Sequence, residues 1–241
     1  MNDTIHFVLQ GKGGVGKSLI ASLLTQHLNA RHGNVLPVDT DPVNHTLARI
    51  KSLAAQPLEI LDPVSQNIDP RRFDQLIDWA LSHPGPIVID NGASTFVPLQ
   101  AYLHESGALD LLADNGRRVL IHCVLVGGQA FADTVGGLQA LLTSTRVQIV
   151  VWQNAFFGPV EQDGRGFTDS GIYNKHLDRI HGLVTLAARS PDTYGRDIAA
   201  MTSAGLTFDE AMASSQFGAM PRHRLGQVWS YIHGQLSAID L

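Results

Sequence analysis

Positive charge is scarce in this chain of 241 residues: Lys and Arg total 17 against 22 Asp and Glu, a formal net charge of −5. That balance argues against broad electrostatic capture of DNA or anionic lipid and leaves a local basic patch open, so contact with either needs geometry rather than bulk charge. Cysteine is scarcer still, since Cys123 stands alone. One thiol excludes an intramolecular disulfide and a multi-cysteine zinc or iron–sulfur site within one chain. Lying inside an apolar run, Cys123 reads as a buried strand residue rather than a nucleophile. Long apolar runs are missing too: "VLIHCVLVGG" (119–128) is about half of the roughly 20 residues that cross a bilayer. The opening MNDTIHFV carries Asp3 where a secretory leader carries basic residues, so a cytoplasmic protein is expected. Linkers, low-complexity tracts and repeats are also absent, which leaves one domain over 1–241.

What is present alternates. Short β-branched runs recur at 5–9, 35–38, 86–91, 118–126, 147–154 and 183–188. Most are apolar throughout, as strands covered on both faces are, and this predicts a mostly parallel central sheet. Amphipathic stretches lie between them. Leu19, Leu23, Leu24 and Leu28 have helical spacing over 18–33, ended by Gly33, and 70–85 starts after a capping Asp69. Further helices are expected over 129–144, 192–204 and 222–238. The fold class that follows is a three-layer α/β sandwich. Only 155–182, rich in Gly and aromatic residues, breaks the rhythm; a long connection with a short helix near 170–180 is expected there.

The first strand runs into "VLQGKGGVGKS" (8–18). Gly11, Gly16, Lys17 and Ser18 satisfy G-x-x-x-x-G-K-[ST], with Gly13, Gly14 and Val15 between them. Glycines let backbone N–H groups turn inward around a phosphate. Lys17 reaches the terminal phosphates of ATP, and the Ser18 hydroxyl is a ligand for Mg²⁺. Placement directly after a strand and before a helix is what this P-loop NTPase mechanism requires. Downstream, "VIDNG" (88–92) ends a strand in Asp90, where a carboxylate orders the water shell of Mg²⁺. "VDTDP" (38–42) puts Asp39 and Asp41 at the same sheet edge, facing the phosphates; either could position an attacking water.

"KGGVGKS" with "DTDP", "IVIDNG" and the late "WQN" resembles the deviant Walker A ATPases of the ParA and MinD type over nearly the whole chain. Within that family, "HFVLQGKGGVGKS" and "NAFFG" are most similar to conjugal transfer proteins of plasmids, with plasmid-stability proteins next. The resemblance implies that Lys12 is the signature lysine, which reaches the phosphates of a partner subunit in an ATP-bound homodimer. It assigns Asp41 to the catalytic water, Asp90 to Mg²⁺ through water and Asn154 to the adenine edge, with "ARSPDT" (188–193) completing the base pocket through backbone groups. It also implies a plasmid-encoded protein partner. Val43 and Asn44 after Asp41-Pro42, and Asn91, Gly92 and Ala93 after Asp90, depart from the family pattern. These departures bear on how hydrolysis couples to a partner more than on nucleotide binding.

Three function classes remain open at this point: an ATP-dependent dimerising switch, a metabolic P-loop ligase with no use for Lys12, and a nucleotide-binding scaffold with little hydrolysis. Arg71, Arg72, Arg117 and Arg118 are the residues that could seed a DNA-binding patch. The C-terminal stretch has few cations beside its apolar face and is expected to dock on the core rather than on a membrane.

Overall fold

The computed structural model describes residues 4–241, so Asp3 lies outside the described residues. Along the chain come β1 (Ile5–Leu9), α1 (Lys17–His32), β2 (Leu36–Asp39), β3 (Gln56–Pro57), α2 (Phe73–Ser82), β4 (Ile87–Asp90), α3 (Phe96–Glu105) and α4 (Ala108–Asp114). There follow β5 (Val119–Val126), α5 (Phe131–Ser144), β6 (Gln148–Asn154), the hairpin strands β7 (Glu161–Gln162) and β8 (Arg165–Gly166), and α6 (Gly171–Lys175). The chain closes with β9 (Ile180–Leu186), α7 (Arg196–Ser203), α8 (Phe208–Ala213) and α9 (Ala219–Ser237). Seven strands form one sheet in the order β3-β2-β4-β1-β5-β6-β9. Every neighbouring pair in it is parallel.

The doubly apolar strands explain the layering. Phe7, Ile89 and Ile121 belong to one core with Phe73, Leu99, Leu112 and Leu138 of the helices α2 to α5. Val8, Val88 and Val124 belong to a second core with Ile20, Leu24, Phe208, Leu225 and Ile232 of α1, α8 and α9. Each face of the sheet is thus sealed by helices, as a parallel sheet requires. β1 lies between β4 and β5, so the chain moves to one side of it and then to the other. The crevice beyond its carboxyl end is the place where such sheets bind ligands.

Several expectations shift. The last strand runs over Ile180–Leu186 rather than 183–188. Gly182 lies inside that strand at a close approach: a Cβ there would lie 2.9 Å from the side chain of Ile239. Helices α3 and α4 were not expected. Pro98 suggests a break, yet it occupies the first turn of α3, where the N–H it lacks has no helical partner to lose. The 155–182 segment holds the β7–β8 hairpin and α6, whose Ser170 cap accepts from Tyr173 N at 3.1 Å. Helix α9 docks as expected, with Leu225, Val228, Ile232 and Leu236 buried and Trp229 stacked on Phe208.

Of the paired arginines, Arg72, Arg117 and Arg118 are already engaged with the chain, while Arg71 is exposed. Arg117 is buried and donates to the carbonyls of His83 and Gly85, while Arg118 pairs with Asp240 at 2.9 Å. Arg72 donates to the Glu59 carbonyl and lies 3.6 Å from Asp69.

A polar chain runs through the second core. Trp152 Nε1, which can only donate, donates to His122 Nδ1 at 2.9 Å. His122 therefore carries its proton on Nε2 and donates to His6 Nδ1 at 3.0 Å. Burial keeps both rings neutral, lowering His6 to about 3 and His122 well below its ordinary value. Trp152→Phe would strand His122 Nδ1 in a dry core. A loss of about 2–3 kcal/mol in unfolding free energy is expected, measured by urea denaturation at neutral pH.

Candidate functional site

The loop after β1 is built from both ends. At its start Gln10, fully buried, donates through Nε2 to the Val124 carbonyl at 2.8 Å and to the Thr134 carbonyl at 3.0 Å. Its Oε1 accepts from Gly11 N at 2.9 Å. Gly137 of α5 faces this amide so closely that a Cβ there would overlap Gln10 Oε1. At the far end Gly16 has φ +99°, a conformation glycine adopts without strain, and α1 starts at the next residue. No acidic residue occupies the first turn of α1, so its positive end is unopposed and suits an anion.

The two loop lysines point to different places. Lys17 is buried and its Nζ donates to the Lys12 carbonyl at 2.9 Å, across the mouth of the loop. Burial lowers its pKa, and the nearby Asp90 and Asp41 carboxylates oppose that shift. Lys12 Nζ instead turns outward to Asp133 Oδ2 of α5, at 2.8 Å; with 45% and 57% of the two side chains exposed, the pair is a weakly held surface contact. Asp133 was not singled out from sequence, although an acid in the first turn of a helix is a visible feature.

Asp90 ends β4 with 1% of its surface exposed, and neither carboxylate oxygen makes a hydrogen bond of ordinary geometry among the described residues, although the Ser18 hydroxyl lies close by. Desolvation raises its pKa to about 7; the Ser18 hydroxyl and Lys17 oppose the rise, and Asp39 adds to it. An orphaned buried carboxylate next to a serine hydroxyl at a phosphate loop fits a hydrated divalent cation such as Mg²⁺, with Ser18 as direct ligand and Asp90 acting through water.

The expectation that Asp39 and Asp41 both face the phosphates is corrected. Asp39 is fully buried and spends its oxygens on the chain, Oδ1 accepting from Asp41 N at 3.1 Å and Oδ2 from Ala48 N at 3.0 Å. It shapes the loop that carries Asp41. Asp41 Oδ1 accepts from Val43 N and Asn44 N at 2.9 and 3.2 Å, while among the described residues Oδ2 has only the 3.4 Å contact from Asn44 Nδ2. Asp41 lies on the wall of an open cleft of about 650 Å³ that Gly13, Lys17, Ser18 and Asn91 also line.

The residues that depart from the family pattern after Asp90 form a knot. Asn91 Oδ1 accepts from Thr95 Oγ1 at 2.6 Å and from Thr40 Oγ1 at 3.3 Å, and Asn91 Nδ2 donates to the Gly92 carbonyl. A Cβ on Gly92 would lie 3.0 Å from Asp41 Cγ, so the segments after β2 and β4 pack directly on each other.

Asn154 ends β6 beneath the loop. Its Nδ2 donates to the Val15 carbonyl at 3.0 Å and its Oδ1 accepts from Phe156 N at 3.1 Å, so each end of the amide is already engaged. The side chain braces the phosphate loop and borders a second, apolar pocket of about 230 Å³ between α1 and α9. Part of the 188–193 tract borders it too, through Arg189.

With this geometry in place, comparison with known proteins is specific. Residues 6–184 match the family described as the CobQ/CobB/MinD/ParA nucleotide binding domain. Two Escherichia coli proteins named TraL are 42% and 39% identical to this chain, over 96% and 97% of its length and the same shares of theirs. Among solved structures, the MinD cell division protein of Aquifex aeolicus aligns with a TM-score of 0.53 at 16% identity, over 96% of this chain and 97% of that one. The seven-stranded sheet, the phosphate loop and these matches agree: the chain belongs to the CobQ/CobB/MinD/ParA family of nucleotide-binding domains, and within it is similar to TraL.

Proposed function

We propose that this protein is a cytoplasmic, Mg²⁺-dependent ATPase that dimerises with ATP bound and serves as a switch in plasmid conjugative transfer or plasmid positioning. The observation that carries this reading is the divergence of the loop lysines: Lys17 closes on its own loop, and Lys12 is held outside it by a contact weak enough to break. Lys17 with the loop N–H groups of Gly11, Gly13, Gly14, Val15 and Gly16 would hold the phosphates. Ser18 and Asp90 would hold Mg²⁺, which when bound neutralises charge on the terminal phosphates. Asp41, through its less engaged Oδ2, would orient the water. Lys12 would leave Asp133 for the phosphates of a second copy. A metabolic ligase using the same loop would give Lys12 no task. Sedimentation velocity tests the reading: a non-hydrolysable ATP analogue should convert monomer to dimer, ADP should not, and a monomer at saturating analogue would refute it.

The raised Asp90 pKa carries a signed expectation. A cation binds the ionised carboxylate, so below about pH 7 binding must expel a proton. Mg²⁺·ATP affinity should therefore weaken by up to about tenfold per pH unit below 7 and level off above it. ATP titrates in the same range, so the relevant quantity is the slope in excess of that shown by Asp90→Asn. Calorimetric titration between pH 6 and 8 measures both, and identical slopes would remove Asp90 from the cation site.

The partner is expected to be a plasmid-encoded protein. Neither the net charge nor the engaged arginines indicate a DNA surface, and no helix among the described residues is long and apolar enough to cross a membrane.

A further inference from the structure

We propose that Arg189 tunes base selectivity: its guanidinium, held beside the rings of Tyr194 and Tyr231, forms an outer stacking wall of the apolar pocket and favours a purine over a pyrimidine. The inference rests on the nucleotide-binding reading and names a side chain that biases the choice of base. The pocket adjoins the phosphate loop at Gly16 and is walled by Leu19, Leu186, Ile198, Val228 and Ile232. Such walls favour a flat apolar ring but cannot read its edge. Asn154, the residue expected to do so, already has the Val15 carbonyl on one end of its amide and Phe156 N on the other. Each end keeps one further hydrogen-bonding position, so ring contact adds to what this amide can read.

Arg189 supplies the face for that contact. Its Cζ lies 4.8 Å from the centroid of the Tyr194 ring and 5.8 Å from that of Tyr231. Tyr194 is itself fixed, donating from its hydroxyl to Gln227 Oε1 at 2.7 Å. It belongs to a π-helical turn, Pro191–Gly195, a rare backbone form that occurs often at functional sites. Among the described residues Arg189 makes no ion pair, so aromatic rings rather than a carboxylate hold it. A planar, weakly hydrated guanidinium presented in this way stacks on π-faces, and a two-ring purine offers more area than a pyrimidine. Lysine keeps the charge but has no plane, which separates stacking from simple attraction to phosphate.

The test compares ATP, UTP and inorganic tripolyphosphate by calorimetry on the wild-type protein, Arg189→Ala and Arg189→Lys, with thermal melts confirming the fold. Wild type should bind ATP at least about tenfold more tightly than UTP, and both variants should lose about tenfold in ATP affinity. Tripolyphosphate affinity should stay unchanged in both. Tyr231→Ala, at a position 43% exposed and so free of core damage, should lose ATP affinity in the same direction. Full ATP affinity in Arg189→Lys, or an equal loss for ATP and tripolyphosphate, would make Arg189 a phosphate contact and overturn the proposal. If the wild type binds neither ATP nor tripolyphosphate, the nucleotide reading itself fails. If it binds tripolyphosphate and ATP but does not distinguish ATP from UTP, only the base pocket fails.

Discussion

Lys12→Ala should reduce steady-state ATP turnover by roughly 10³-fold or more, the scale of a cationic finger supplied in trans, while ATP affinity changes by no more than about twofold. The two effects separate because the phosphate site is complete without this side chain. Lys17 takes the Lys12 carbonyl, a backbone group that alanine retains. The outer limb of the loop stays anchored through Gln10 and Gly11. What alanine removes is the one loop cation that already faces outward, on Asp133. Single-turnover hydrolysis with pre-bound ATP, next to an equilibrium affinity, decides the matter. Wild-type turnover in the variant would show that the lysine is a solvated surface residue, and the dimer model would go with it. Lys17→Ala is less informative, because every function built on this loop predicts that it abolishes nucleotide binding.

Asp41→Ala should lower the hydrolysis rate by about 10²- to 10⁴-fold, the usual contribution of a group that orients or deprotonates a nucleophile. It should also leave ATP bound and the dimer long-lived. Alanine, however, removes the acceptor for Val43 N and Asn44 N as well, so the loop could shift. Asp41→Asn resolves this. An amide oxygen still accepts those two N–H groups but carries no charge for the water. Comparable losses in both variants would assign the effect to the carboxylate; near-normal hydrolysis in Asp41→Asn would reduce Asp41 to a turn residue. In its ATP-bound state the blocked protein is also the bait for a pull-down from plasmid-bearing cells, where a plasmid-encoded protein should be retained.

Much of this was legible because it is local. Strands buried on both faces announce themselves as unbroken apolar runs, so β1, β4, β5 and β6 were readable within a residue or two. The phosphate loop was readable because its chemistry fixes residue type at fixed spacing. The placement of the carboxylates was not. Asp39 and Asp41 differ only in which one the backbone turns inward, and that depends on Ala48 N, which receives its partner only once the loop has folded. Asp133 meets Lys12 through the pairing of β1 with β5, a long-range fact that no window of sequence contains. Arg189 looked like part of a backbone tract because its two tyrosines come from different elements. Helix α3 was hidden by a proline whose effect depends on the turn it occupies.

The fit of Gln10 against Gly137 makes two distant positions a single unit of inheritance. A side chain at 137 forces the Gln10 amide out of its hydrogen bonds unless residue 10 has already shortened. Shortening residue 10 first means living for a time with a phosphate loop untied from β5 and α5. Divergent relatives should therefore change the two positions together or neither. Grafting this loop onto another member of the family should succeed only where the recipient's helix carries glycine at the facing position.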